Sequence, residues 1–294
     1  MMLSTAATHP PIDFLTIGHI CYDLVAGGRV VGGAAAYTGM TAQALGCRPA
    51  IVTSAAPADD WAAELPGIPI HVAGASATTV FENIYLPTGR IQTVHSVAGR
   101  LEAEDVPLTW AQTPLVFLGP IANEIDPNII HLFGNSVVGV GPQGWMRRWD
   151  DRGRVYAVDW QDAGDVLPMA SVTFISREDL SNPALIDAYA QQANCLVVTD
   201  GSRGCRVYFR GEERSFPAPE VTAIDTTGAG DIFAAAYLVR LHQTEGDHWE
   251  AAEFANQVAS CSVTCVGLEA KAKVIRRLMA EVFYQGHAEA REIH

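Results

Sequence analysis

Short apolar, β-branched runs separated by helical stretches are the feature that most limits how this 294-residue chain can fold. Residues 12–18, 50–53, 115–118, 136–140, 155–158, 172–175 and 196–199 are such runs. A strand that is apolar along its whole length belongs in a sheet covered on both faces, and strands that alternate with helices run mainly parallel. Gly32 and Gly33 open an Ala-rich helix that reaches about Leu45 and is closed by Gly46 as a C-cap. Further helices are expected over 183–193, 229–242 and 249–266, and from about Lys271 onward. The expected fold class is therefore α/β, with no linker that would divide residues 1–294 into two domains.

Two segments depart from this rhythm. Residues 78–86 and 90–97 are extended runs joined by Pro87, Thr88 and Gly89, which reads as a hairpin. Along the first run Thr79, Phe81, Asn83 and Tyr85 share one face by the two-residue strand period. Such a face suits either a polyol ligand or an ordinary half-exposed sheet surface. A second hairpin is expected from 207–209 and 213–216 around Gly211.

Charge narrows the partners. Nineteen Lys and Arg against 33 Asp and Glu give a net charge of −14, with no basic stripe. This excludes a nucleic-acid binder and disfavours an anionic membrane surface. An anionic ligand would need a local site of backbone amides or a few cations. Residues 1–11 lack the basic region and apolar core of a secretory leader, and no apolar run approaches the ~18 residues of a spanning helix. Six cysteines occur without a CxxC pair, and Cys261 and Cys265 fall on one face of an expected helix as packing residues. A cytoplasmic protein is expected.

The chemistry concentrates in Asp225-Thr226-Thr227-Gly228-Ala229-Gly230-Asp231. Small residues let the backbone approach a ligand, and Ile232, Ala235, Ala236 and Val239 form the packed face of the helix that follows. The amides of Gly228, Ala229 and Gly230, at that helix start, make an anion site. Asp231 has two readings. It caps the first turn, or it accepts a proton from a substrate hydroxyl while the amides hold a transferring phosphoryl group.

This run resembles the DTxGAGD signature of the ribokinase-like (PfkB) carbohydrate kinases and matches it in full. Gly32-Gly33 with its Ala-rich helix is similar to the family's first signature. Val197-Val198-Thr199-Asp200-Gly201-Ser202-Arg203-Gly204 is similar to its strand-and-turn block, and Asn256 falls where the family places an Asn near adenine. The resemblance implies a three-layer sandwich with a mostly parallel central sheet and a small β lid, here from residues 24–31 and 78–97. It implies an ATP-dependent kinase acting on a hydroxyl of a sugar or similar polyol, with Mg²⁺ and, in some members, K⁺, as a monomer or homodimer. Asp231 would be the general base, with Gly228, Ala229 and Gly230 as the anion hole. Asp23, Gly32, Gly33 and Asn83 would hold substrate, and Thr199, Gly201, Gly204 and Asn256 the nucleotide. Asp225 would help hold a monovalent cation.

Three departures bear on that reading. The family's Asn-x-x-Glu metal motif is replaced by Ser176-Arg177-Glu178-Asp179, so Asp179 and Glu178 stand as the candidates facing Mg²⁺ through water. Tyr37 replaces an Asn of the first signature, which turns the expectation away from ribose. Only eight residues separate Asp23 from Gly32, too few for a ribokinase-type multi-stranded insertion. Asp23 also reads as a turn-capping residue, Asp159 as either a site residue or a turn former, and residues 143–148 as either a pocket rim or a solvated helix face. The alternatives are a non-catalytic ligand-binding or regulatory relative and a kinase of nucleosides or vitamin precursors. No GxGxxG, GxSxG, HExxH or Walker P-loop is present.

Overall fold

The computed structural model describes residues 11–86 and 89–292; the turn expected at Pro87 and Thr88 and residues 1–10 lie outside them. Strand β1 (Phe14–Ile17) is followed by a tight antiparallel pair, β2 (Cys21–Val25) and β3 (Gly28–Gly32), before helix α1 (Ala34–Ala44). Next come β4 (Pro49–Ala55), β5 (Ile70–Gly74), β6 (Thr79–Leu86), β7 (Gly89–Ser96), β8 (Leu115–Leu118) and β9 (Val137–Val140). A two-stranded ribbon, β10 (Arg147–Trp149) and β11 (Val155–Ala157), leads through the short α2 (Ala163–Val166) to β12 (Val172–Ser176) and α3 (Leu185–Gln192). The chain ends with β13 (Cys195–Thr199), β14 (Cys205–Phe209), β15 (Glu212–Phe216), α4 (Ala229–Gln243), α5 (His248–Ser262) and α6 (Leu268–Glu292).

Nine strands form the main sheet in the order β15-β14-β13-β12-β9-β8-β1-β4-β5. The pairs from β13 to β5 are all parallel, and only β14 and β15 run against them. Successive residues point to opposite faces. Phe14 and Phe117 enter the core beneath α1, α4 and α5, while Leu15, Val116 and Leu118 enter the second core with Trp145 and Trp160. Both faces are thus covered, as the unbroken apolar strands require. Ala34, Ala35, Ala36 and Ala42 are buried, and their small side chains let α1 lie close to β4, α4 and α6. Gly46 closes α1 with φ 91°, its amide reaching Gln43 while the Cys47 amide reaches Ala42. Among the described residues no helix is long and apolar enough to cross a membrane.

The two departing segments build one object. β2 and β3 join β6 and β7 in a second sheet of order β3-β2-β6-β7, through a parallel pairing of β2 with β6. Residues 24–31 are therefore the turn end of the β2–β3 hairpin, with Ala26 and Gly27 between the strands. The inward side of β6 is the expected one: Thr79 and Phe81 are buried.

Three expectations are corrected. Residues 155–158 do not enter the main sheet; β11 pairs only with β10, and Tyr156 stays 52% exposed. Residues 143–148 are not a solvated helix face, because a short 3₁₀ turn at Pro142–Gly144 leads into β10 and Arg147 is buried. Cys265 lies past the end of α5, so it shares no helix face with Cys261.

Where β1 ends, a buried carboxylate fixes the chain's exit. Glu124 is 3% exposed and accepts the amides of His19 (3.1 Å), Ile121 (3.0 and 2.9 Å) and Ala122 (2.7 Å). It therefore ties the segment leading to β2 to the one leaving β8. Truncation would strand three buried donors. Glu124→Ala is expected to cost about 2–4 kcal/mol of unfolding free energy, read as a lower urea midpoint at unchanged slope.

Candidate active site

Parallel strands bring their C-terminal ends to one edge, where α/β sheets place ligands. The turn after β9 carries Gln143, β10 opens with Arg147, the turn after β12 carries Asp179, and α4 begins with the glycine-rich loop. Gly228 caps α4 in a left-handed conformation, φ 74° and ψ 3°. A Cβ there would run into the ring of Tyr37, so the loop can lie on α1 only because residue 228 has no side chain. The Ala229 amide donates to Thr226, which removes it from the expected anion hole. Among the described residues the amides of Gly228, Gly230 and Asp231 have no protein acceptor. A Cβ at Gly230 would meet only open space. These amides, with the positive end of α4, can receive an anion.

Asp231 follows in the first turn of α4 and is half-buried. Burial raises its carboxyl to about 7; the nearby guanidinium of Arg147 pulls it down and the carboxylate of Asp179 pushes it up. A carboxyl that changes charge near neutrality is suited to taking up a proton there.

Arg147 is nearly buried and pairs through Nη2 with Asp179 Oδ1 at 3.2 Å. Gln143 Nε2 donates to both oxygens of Asp179, at 3.0 and 2.9 Å. Asp179 was a candidate to face Mg²⁺, yet its carboxylate already holds a guanidinium and an amide. Glu178 is exposed, and among the described residues no three His, Cys, Asp or Glu converge on a metal position. A resident divalent ion does not fit; Asp179 serves to hold Arg147 beside Asp231.

Asp225 lies at the other end of the loop. Its Oδ1 accepts the Thr227 amide at 2.9 Å. Burial by itself would raise its carboxyl, but the Thr227 hydrogen bonds and the ammonium of Lys271 outweigh this and hold it below the usual range. Lys271 is completely buried. Its Nζ donates to the main-chain oxygens of Asp225 (2.7 Å) and Ser262 (3.1 Å) and lies 3.5 Å from Asp225 Oδ2. These are the acceptors a monovalent cation would use. A second unit charge about 4 Å from the ammonium would be repelled by about 4 kcal/mol at an effective dielectric of 20. A potassium ion held by Asp225 does not fit.

On the other side of the loop stands the small sheet. Asn83 Nδ2 donates to Asp23 Oδ1 at 3.0 Å, and Gln92 Nε2 donates to Asn83 Oδ1 at 3.0 Å. The three form a polar chain across β2, β6 and β7. A Cβ at Gly32 would collide with the Asp23 carboxylate, so the glycine leaves that carboxylate its room. Gly33 caps α1 at φ 94°, where a Cβ would strike the His19 carbonyl; its reason is backbone conformation. Burial, then the carboxylates of Asp225, Asp23 and Asp231, raise the Tyr37 hydroxyl above its ordinary range. Tyr37 thus lies where the loop and the small sheet meet.

The expected nucleotide residues divide. Thr199 ends β13, and Gly201 (φ 54°) is exposed with open space beside it. Of these residues Gly204, rather than Thr199 or Gly201, lines a cavity of about 240 Å³ together with Arg177, Arg203, Arg206 and Asp200 among others; Asp231 is not part of its lining. Gly204 is buried, and a Cβ there would hit the Phe216 carbonyl, so it closes the turn onto β15. Asn256 is also buried, its Nδ2 donating to the Phe216 carbonyl at 3.1 Å and to Cys205 Sγ at 3.6 Å. It clamps α5 to the terminal hairpin. Asp159 accepts from Ser181 at 2.5 Å, a loop-fixing contact.

The raised carboxyl of Asp231 has a consequence for stability. An unfolded Asp titrates near 4, so the folded protein keeps a proton that the unfolded chain has lost between about 4 and 7. That contribution is complete below about 4 and lost as pH rises through about 7. Asp231→Asn escapes the loss. Its melting temperature is expected to match wild type near pH 4 and to exceed it at pH 8, as calorimetry across that range would record.

Residues 157–274 match the model of the pfkB family carbohydrate kinases. Probable fructokinase-5 of Arabidopsis thaliana is 36% identical over 115 residues, 36% of this chain and 34% of that protein. Inositol 3-kinase of Arabidopsis thaliana is 29% identical over 243 residues, 77% of this chain and 67% of that protein. The alignment thus spans about a third of the fructokinase relative and two thirds of the inositol kinase. Among solved structures, the sulfate complex of a pyrophosphate-dependent kinase of the ribokinase family superposes with a TM-score of 0.74 at 20% identity, over 86% of this chain and 96% of that one. The mostly parallel sheet, the glycine-rich start of α4 and these likenesses agree: residues 157–274 resemble the pfkB family carbohydrate kinases, and the described residues adopt the ribokinase fold.

Proposed function

We propose that the protein is a kinase that transfers the γ-phosphoryl group of ATP to a hydroxyl of a cyclic polyol, an inositol or a hexose. The observation that carries this reading is Asp231. A carboxyl that titrates near 7 stands in the same helical turn as amides without protein acceptors. The acceptor hydroxyl gives its proton to the Asp231 carboxylate as its oxygen bonds to the γ-phosphorus, and the bridging oxygen leaves with ADP. Asp231 then releases the proton to water. The amides of Gly228, Gly230 and Asp231, with the guanidinium of Arg147, balance the charge on the phosphoryl oxygens. The nucleotide enters as its Mg²⁺ complex, which is the substrate.

The acceptor reading rests on the chain Asp23–Asn83–Gln92. A carboxylate and two amides offer donors and acceptors along one line, as adjacent ring hydroxyls require. The resemblance to inositol 3-kinase supports a cyclitol. Ile224 and Val266 are 66% and 65% exposed, and the Ile224 amide bonds to Val263 beside them. This apolar surface close to the glycine-rich loop suits a purine base, which supports ATP as donor. The small sheet would then act as a lid that keeps water from the phosphoryl group.

Assays pairing MgATP or Mg-pyrophosphate with inositols, hexoses, ribose and nucleosides test the reading. Transfer to a cyclic polyol from ATP is expected; saturable ligand binding with no turnover from either donor would point instead to a regulatory relative. Asp231→Asn should lower kcat by roughly 10²–10⁴ and leave donor affinity nearly intact. The wild-type kcat/KM should climb with pH up to about 7 and then level, following loss of the Asp231 proton. A Cβ at Gly230 meets open space, so Gly230→Val should fold, yet fill the anion position and abolish transfer.

A further inference from the structure

A lysine with no exposed surface is unusual, because the ammonium is strongly hydrated and costly to bury without full compensation. Lys271 lies one turn into α6, where the positive end of the helix dipole disfavours a cation. Neither local preference nor solubility accounts for it. Its position does: the stem runs inward from α6, and Nζ reaches the Asp225 and Ser262 carbonyls and stands beside the Asp225 carboxylate.

Those acceptors come from the segment that leads into residues 228–230 and from the end of α5. The same two segments are stitched by the Ile224 and Asp225 amides, both donating to Val263. Asp225 in turn accepts the Thr227 amide, one residue before the loop glycine. A positive charge at this point draws two main-chain carbonyls and a carboxylate together and sets the path of the backbone into the anion site.

We propose that Lys271 is a tethered cation standing where a free monovalent ion would otherwise be held, so that the glycine-rich loop is organised by the chain's own ammonium and is indifferent to K⁺. Lys271 is a positioning residue: it acts through Asp225 on the loop amides and touches no substrate. The inference deepens the kinase reading and rests on it for the meaning of the loop.

The test uses the full chain in KCl, NaCl and choline chloride of equal ionic strength, followed by melting temperature and by phosphoryl transfer. For wild type, both should be the same in all three salts. Lys271→Ala empties the position and leaves the acceptors; it should lose stability and turnover in choline chloride and regain both, several-fold in rate, with K⁺ or NH₄⁺. Lys271→Met fills the space with an uncharged stem and should regain neither. Wild-type transfer or melting that rises clearly with K⁺ would overturn the proposal. So would a folded Lys271→Ala protein that ignores K⁺ and NH₄⁺, or a Lys271→Met protein with wild-type turnover and melting. If Lys271→Ala does not fold, the wild-type salts and Lys271→Met decide. If wild type phosphorylates no acceptor, the kinase reading fails, and the melting arms still judge the lysine.

Discussion

The contact of Tyr37 with Gly228 is the constraint around which the rest is arranged. It sets the start of α4 on the first turns of α1, and it does so without a side chain on the α4 side. α1 is entered from β3 through Gly32 and Gly33, so the same contact places the small sheet against the anion loop. Asp23 and Asp231 come from opposite ends of the sequence, yet both act on the Tyr37 hydroxyl electrostatically. A bulkier residue at 228 would part the two helix starts and with them the two halves of the site.

An excess of 14 negative charges is at first sight a poor setting for phosphate chemistry. The resolution is local. Asp179 is matched by Arg147 and Asp225 by Lys271, and each pairing leaves a fixed cation beside the loop without a mobile side chain. Asp231 has no salt-bridge partner among the described residues, and burial raises its carboxyl to about 7. Pairs of like groups whose surroundings separate their ionisation are how one site holds both a fixed charge and a base.

Much of this was legible in the sequence. The apolar strands carried the parallel sheet, and Asp225 to Asp231 carried the glycine-rich start of α4, because both signals are local: a run of residues and its period decide them. The small sheet was half legible. The β6–β7 hairpin shows in its alternation, whereas β2 and β3 are joined by so short a turn that their pairing emerges only against β6. The structural part of Asn256 was not legible: its amide nitrogen donates to Phe216 and Cys205, partners 40 and 51 positions away. Arg147 and Lys271 were illegible for another reason. Each has a partner 32 or 46 positions away: the run 143–148 offered Arg147 only as part of a pocket rim without its pairing to Asp179, and nothing in the local pattern sets Lys271 apart from a surface charge.

That difference has a physical basis. Glycines and apolar runs are dictated by backbone geometry and burial, which act over a few residues. Charge compensation acts through space, and its cost appears only once the chain has closed around it. A carboxylate such as Asp225 can be balanced by an ion from solution or by a lysine from a distant helix with no change in the loop's own sequence. The loop signature therefore marks the glycine-rich start of α4, while the source of its counter-charge is written elsewhere in the chain, at the beginning of α6.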